Sequence, residues 1–225
     1  MSKHFIIGYI LLISSFCYAQ SDSLKKIADK NIYARQQLLM LQKEGTVIVL
    51  LKGKTRSMEA YEKAGKTLLV EEMKKKIATT NRTLVRAFNK YWKFSPVLYM
   101  YNDDIATLQK NGASKVFVDS LLKPSPFISL TQSYYVFMDY GSYYIPSNNT
   151  SENQPTKWKK NQEETVQDPT QSNQSITECL VVKDKNLNQF LAPYPNRSAS
   201  IMGSKDMNNL VAALNRRFEA FLENK

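Results

Sequence analysis

Thr46-Val47-Ile48-Val49-Leu50-Leu51 is an unbroken run of β-branched and aliphatic residues, the pattern of a strand buried on both faces. A helical segment over 21–44 precedes it. Ser21 or Asp22 can cap this segment, Leu24, Ile27, Ala28, Leu38, Leu39 and Leu41 form a loose apolar face, and Gly45 ends it. A long helical stretch runs from Thr55 to Trp92, with a break at Gly65. Within its second half Leu69, Met73, Ile77, Leu84 and Phe88 recur at helical spacing and predict a core-facing stripe. Pro96 stops the helix, and Val97-Leu98-Tyr99-Met100-Tyr101 reads as a second buried strand. Asn102-Asp103-Asp104 then caps a short helix that stops at Asn111-Gly112.

Beyond Gly112 the period changes from helical to extended. Val116 to Val118 is a strand turning near Asp119, and Tyr134 to Met138 is a strand ending near Gly141. Glu178 to Asp184 and Gln189 to Leu191 flank a Lys185-Asn186 turn and read as a hairpin. The turns at 116–122 (Val-Phe-Val-Asp-Ser-Leu-Leu) and 181–187 (Val-Val-Lys-Asp-Lys-Asn-Leu) look alike, over a length too short to make a repeat. Residues 142–175 are rich in Asn, Gln, Ser, Thr, Glu and Pro and are predicted to be a polar, disordered loop inside the domain. A last helix from Ser204 or Lys205 to Glu223 carries Met207, Leu210, Val211, Leu214, Phe218, Phe221 and Leu222 on one face, with Asp206 in its first turn. This order predicts an α/β fold: one open mixed sheet flanked by helices, with a long basic amphipathic helix and a C-terminal helix.

The first nineteen residues change the expected compartment. Lys3 and His4 start the chain, residues 5–13 are apolar, and Cys17 and Ala19 stand at the −3 and −1 positions of a cleavage site. This is the three-part grammar of an export signal, and the apolar run is too short for a membrane-spanning helix. Residues 1–19 are therefore expected to be removed, leaving one α/β domain over 20–225 in the periplasm or secreted. Lipidation at Cys17 is the competing reading, but Phe16 occupies a position where that chemistry wants a small residue.

His4 is the only histidine, and Cys17 and Cys179 are the only cysteines. An exported product keeps no imidazole and one thiol. Cys179 lies in the run Cys179-Leu180-Val181-Val182 and reads as a small buried hydrophobe with no base to activate it. No intrachain disulfide can form, so packing alone must hold the fold. A glycine-rich phosphate loop, a Gly-x-Ser-x-Gly elbow and Cys or His metal spacings are all missing from the sequence. No cofactor is expected.

The formal charge of the chain is +11, which points toward anionic partners such as lipid phosphate, acidic glycan or DNA, or toward an unidentified envelope or extracellular partner. Seven cations and no acid lie between Lys74 and Lys93. Lys75, Arg82, Arg86, Lys90 and Lys93 are the candidate anion-binding residues. Arg82, Arg86 and Lys90 repeat every fourth residue, on the side of the helix away from Leu84 and Phe88. A plain solvated face explains the same charges, although such a face usually interleaves acids. Asp103 and Asp104, after a buried strand, mark a candidate ligand edge. Capping a helix accounts for them equally. Lys157-Trp158-Lys159-Lys160 can stack on bases or sugars, or decorate the polar loop. Tyr134, Tyr135, Phe137, Tyr140, Tyr143 and Tyr144 can line a glycan or peptide groove or pack the core.

Two resemblances accompany these patterns. The element order is similar to that of thioredoxin-like domains, but Asn102-Asp103-Asp104-Ile105 stands where a redox member carries Cys-x-x-Cys, so thiol–disulfide chemistry is not implied. The run 47–51, the basic helix, the segment 94–101 and the turn at 181–187 together resemble a group of uncharacterised exported proteins of Gram-negative bacteria. Relatives with this pattern often carry a cysteine before the proline at position 96, where this chain has Ser95. That resemblance implies export and no particular activity. The functional expectation is a non-catalytic exported protein acting by binding. A polyanion-binding module on the basic helix and a carboxylate-based hydrolase are the alternatives.

Overall fold

Strand β1 (Gly45–Leu51) is buried along its whole length, as its apolar run predicts, because it lies in the middle of the sheet. The computed structural model describes residues 28–111, 116–146, 174–199 and 206–223. The expected export signal and the Lys157 to Lys160 cluster lie outside them. Helix α1 (28–44) runs into β1 with no connecting residue. Gly45 makes that corner feasible, since a Cβ there would come within 2.6 Å of the Leu41 Cα.

After β1 the chain forms α2 (Arg56–Lys63), α3 (Thr67–Tyr91) and β2 (Val97–Tyr101). Thr55 caps α2, its hydroxyl accepting from the Met58 amide, and Gly65 at φ +70° ends it, so the expected break falls at the glycine. A single 3₁₀ turn (Asn102–Asp104) leads into α4 (Ile105–Asn111), then β3 (Phe117–Val118), β4 (Tyr134–Pro146), β5 (Gln174–Lys183), β6 (Arg197–Ala199) and α5 (Met207–Glu223). The six strands form one mixed sheet in the order β3-β2-β1-β4-β5-β6. Strand β1 is parallel to both β2 and β4, and the outer pairings are antiparallel. This is the α/β sheet flanked by helices that the sequence predicts.

Alternation along β1 divides the core. Val47, Val49 and Leu51 join one cluster with residues of α1, α3 and α5, while Ile48 and Leu50 join another with Leu108 of α4 and the 128–130 segment. On the helical side Trp92, Phe94 and Phe218 meet edge to face, with centroids 5.2–6.0 Å apart. Each such pair adds about 0.5–1.5 kcal/mol beyond its burial. Asn215 is buried there and holds the segment that follows α3, accepting from the Lys93 amide at 2.8 Å and the Phe94 amide at 3.1 Å. The face of α5 is as predicted, and Asp206 caps its start by accepting from the Asn208 amide.

Several boundaries differ from expectation. Strand β4 passes Gly141 and continues to Pro146, pairing with β5 from Gln174 onward, so both ends of the predicted polar loop are strand. Residues 147–173 lie outside the described part. The arm that follows β5 touches it through Gln189 and then returns as β6, which was not predicted. In α3, Leu69 stands exposed and Val70 is buried, because α2 packs beside the first turns of α3 and rotates the buried stripe there. Among the described residues no helix is long and apolar enough to cross a membrane.

The two similar turns prove to be one geometry built twice. Asp119 Oδ1 accepts from the amides two and four residues on, and so does Asp184 Oδ1. Leu122 and Leu187 hold φ of 66° and 67°. They pack into opposite core clusters, which pays for the strained backbone.

Candidate functional site

Helix α3 positions the basic residues. Its buried side, with Asn81, Leu84, Val85, Ala87 and Phe88, rests on the core, so Lys75, Arg82, Arg86 and Lys90 are all exposed. Successive members of the Arg82–Arg86–Lys90 row stand about 6 Å apart along the axis. Lys93, just past the helix, is exposed as well and donates to the Asn89 carbonyl at 3.3 Å. Lys90 Nζ sits 5.0 Å from the centre of the Tyr91 ring. Among the described residues none of these five cations forms an ion pair; the pairs of α3 belong to Lys74, which lies 3.5 Å from Glu71 and 3.6 Å from Glu62.

Arg82 and Arg86 share a hollow of about 300 Å³ with Ser120 and Leu121 of the Asp119 turn. The second wall was not foreseen, since it comes from a turn more than thirty residues downstream. Asp119 Oδ1 shapes that turn by accepting from the Leu121 and Lys123 amides.

A second hollow, about 450 Å³, adjoins the same helix outside the carboxyl ends of β1 and β2. Lys52, Lys54, Lys74 and Glu62 supply its charge, and Met58, Ile77, Ala78 and Leu122 supply apolar wall. Lys54 Nζ lies 2.6 Å from Glu62. That contact holds the Glu62 carboxyl below its usual range and the Lys54 ammonium above its own. Lys52 Nζ reaches the other way, 5.4 Å from the Tyr140 ring centre. Sequence reasoning passed over Lys52 and Lys54; a glycine between two lysines at the end of a buried strand was the available signal.

Asp103 and Asp104 do sit at this edge, but with a role other than capping α4. Asp103 Oδ2 accepts from the Lys54 amide at 3.0 Å, and Asn102 Oδ1 accepts from the Gly53 amide at 2.8 Å. The two side chains pin the β1–α2 loop. Asp104 is half-buried beside Tyr101, whose hydroxyl is raised by burial first and by the Asp104 charge second. Four of the β4 aromatics serve as packing: Tyr134 and Tyr140 join the cluster on the helical side, and Tyr135 and Phe137 the opposite one, while the side chains of Tyr143 and Tyr144 lie outside the described part. Cys179 is fully buried, and burial pushes its thiol up to about 11. No group of three or more His, Cys, Asp or Glu among the described residues is arranged to hold a metal ion. No family model, no curated protein and no solved structure matches the chain.

Proposed function

We propose that this is an exported, non-catalytic binding protein whose α3 face engages polyanions. The observation that carries this reading is the pairing of Arg82 and Arg86 over a hollow walled by Ser120 and Leu121, with neither guanidinium in an ion pair among the described residues. Two exposed cations beside a hydroxyl and an apolar lip suit a phosphate or sulfate group carried on a larger body. Lys90, one turn further on, extends the row, and the excess of +11 over the whole chain favours the approach of any polyanion. Lipid phosphate, acidic glycan and DNA share this chemistry.

The hydrolase reading has less support, since Asp103 is engaged with the Lys54 amide and no second carboxylate is paired with it among the described residues. Retention on heparin is the test. The protein is expected to be held and to elute early when Arg82→Glu and Arg86→Glu are combined. Unchanged elution of that variant would refute the reading.

A further inference from the structure

The geometry points to the second hollow as a site for a small amphipathic anion, a carboxylate on a short apolar body, gripped by Lys54 and Lys74 in place of Glu62. The site is independent of the polyanion face and uses neither Arg82 nor Arg86.

Position is the first support. In open α/β sheets ligands settle in the crevice outside the carboxyl ends of the parallel strands, and this hollow opens there, next to Lys52 after β1 and Tyr101 at the end of β2. At about 450 Å³ it falls within the size range of small-molecule pockets, and it divides as they do into an apolar wall and a few convergent charges. Met58, Ile77, Ala78 and Leu122 offer the body a surface, while Lys54 and Lys74 face the one glutamate.

Glu62 is the second support. Its two oxygens already lie 2.6 Å from Lys54 and 3.6 Å from Lys74, so the lysine pair is placed to hold a carboxylate. Glu62 is itself partly exposed and belongs to the last turns of α2, from which its side chain can swing into water. Such a surface pair is weak, and a ligand that adds apolar contact can displace it.

Rigidity is the third. The loop carrying Lys52 and Lys54 is fixed residue by residue: Asn81 holds both peptide groups of Lys52, Asn102 holds the Gly53 amide, and Asp103 holds the Lys54 amide. A Cβ on Gly53 would lie 2.0 Å from Asp103 Oδ2, so the loop is pressed onto its support. A site held this way needs little ordering when a ligand arrives.

Titration of the ¹⁵N-labelled protein with octanoate, followed by amide shifts, tests the site. Saturable shifts are expected to centre on Gly53, Lys54, Ile77 and Asn81, with octanol at least ten-fold weaker. Lys54→Gln/Lys74→Gln is expected to weaken octanoate ten-fold or more. Glu62→Gln, which removes the internal competitor, is expected to tighten it about three- to ten-fold, a gain that misfolding cannot imitate. Absence of saturable shifts, shifts confined to other regions, equal binding of octanol, or weaker binding by Glu62→Gln would each overturn the proposal.

Discussion

Asn81 closes its carboxamide around the peptide groups of Lys52: Oδ1 accepts from the Lys52 amide at 3.0 Å, and Nδ2 donates to the Lys52 carbonyl at 2.9 Å. The residue is buried on α3, so it ties the end of the central strand to the helix that carries the basic face. Asn81→Leu keeps the branched outline of the side chain and leaves both backbone groups without this partner. A loss of about 1–3 kcal/mol in denaturant unfolding is expected, from the cost of unsatisfied buried polar groups. Unchanged stability would mean that water replaces the side chain freely.

Gly53 is required by contact, not by backbone angle. A methyl group there would meet Asp103 Oδ2 at 2.0 Å and Cγ at 2.6 Å. Gly53→Ala should therefore cost about 1–3 kcal/mol, the range for overpacking. Adding Asp103→Ala should recover part of the loss by making room. Thermal unfolding of the single and double variants checks this. A double variant no better than Gly53→Ala would place the strain elsewhere.

The Tyr194 hydroxyl is buried and finds no hydrogen-bond partner among the described residues. Its ring stacks on Phe190 at 4.2 Å and meets Phe218 edge-on at 5.6 Å, so the ring holds the position and the hydroxyl adds desolvation cost. Burial accordingly keeps the phenol from ionising until well above its ordinary range. Tyr194→Phe is expected to leave stability unchanged or raise it by up to about 1 kcal/mol. A clear loss in chemical denaturation would reveal a partner for the hydroxyl.

Cys179 couples the fold to alkaline pH. Its thiol ionises near 9 when free and about 11 when folded, because burial disfavours the thiolate, with Arg197 opposing more weakly. The folded state thus keeps a proton that the unfolded chain releases. That contribution is complete below about pH 9 and is lost as pH rises toward 11. Stability measured from pH 8 to 11 should fall less in Cys179→Ala than in the parent. At pH 8 the native thiol should resist a disulfide reagent that labels it fully in denaturant.

Much of the fold was legible in the sequence because its periods are clean. The run 46–51, the segment 97–101 and the face of α5 each show one strong pattern, and each falls where expected. The likeness between residues 116–122 and 181–187 was also readable; that its leucines take φ of 66° and 67° was not. What escaped depends on distant partners. Strand β6 is three residues with a polar centre, and only its pairing with Cys179 to Val181 makes it a strand. Val70 replaces Leu69 inside because α2 folds back there. Asn81 and Asn215 sit in core phase on their helices and went unnoticed, because the peptide groups they satisfy lie 29 and 121–122 residues away. The basic row was visible from its four-residue spacing. Its hollow was not, since Ser120 and Leu121 reach it only through the sheet.

The claim that Arg82 and Arg86 bind polyanions is tested most directly by the salt dependence of binding to a labelled DNA duplex. Each phosphate contact contributes about 0.9 to the slope of log affinity against log salt. Arg82→Gln/Arg86→Gln is expected to reduce that slope by about two. Lys43→Gln/Lys110→Gln, which removes the same charge from exposed positions away from the hollow, is expected to leave it nearly unchanged. Equal slopes for the two double variants, or no measurable binding by the parent protein at low salt, would contradict the account.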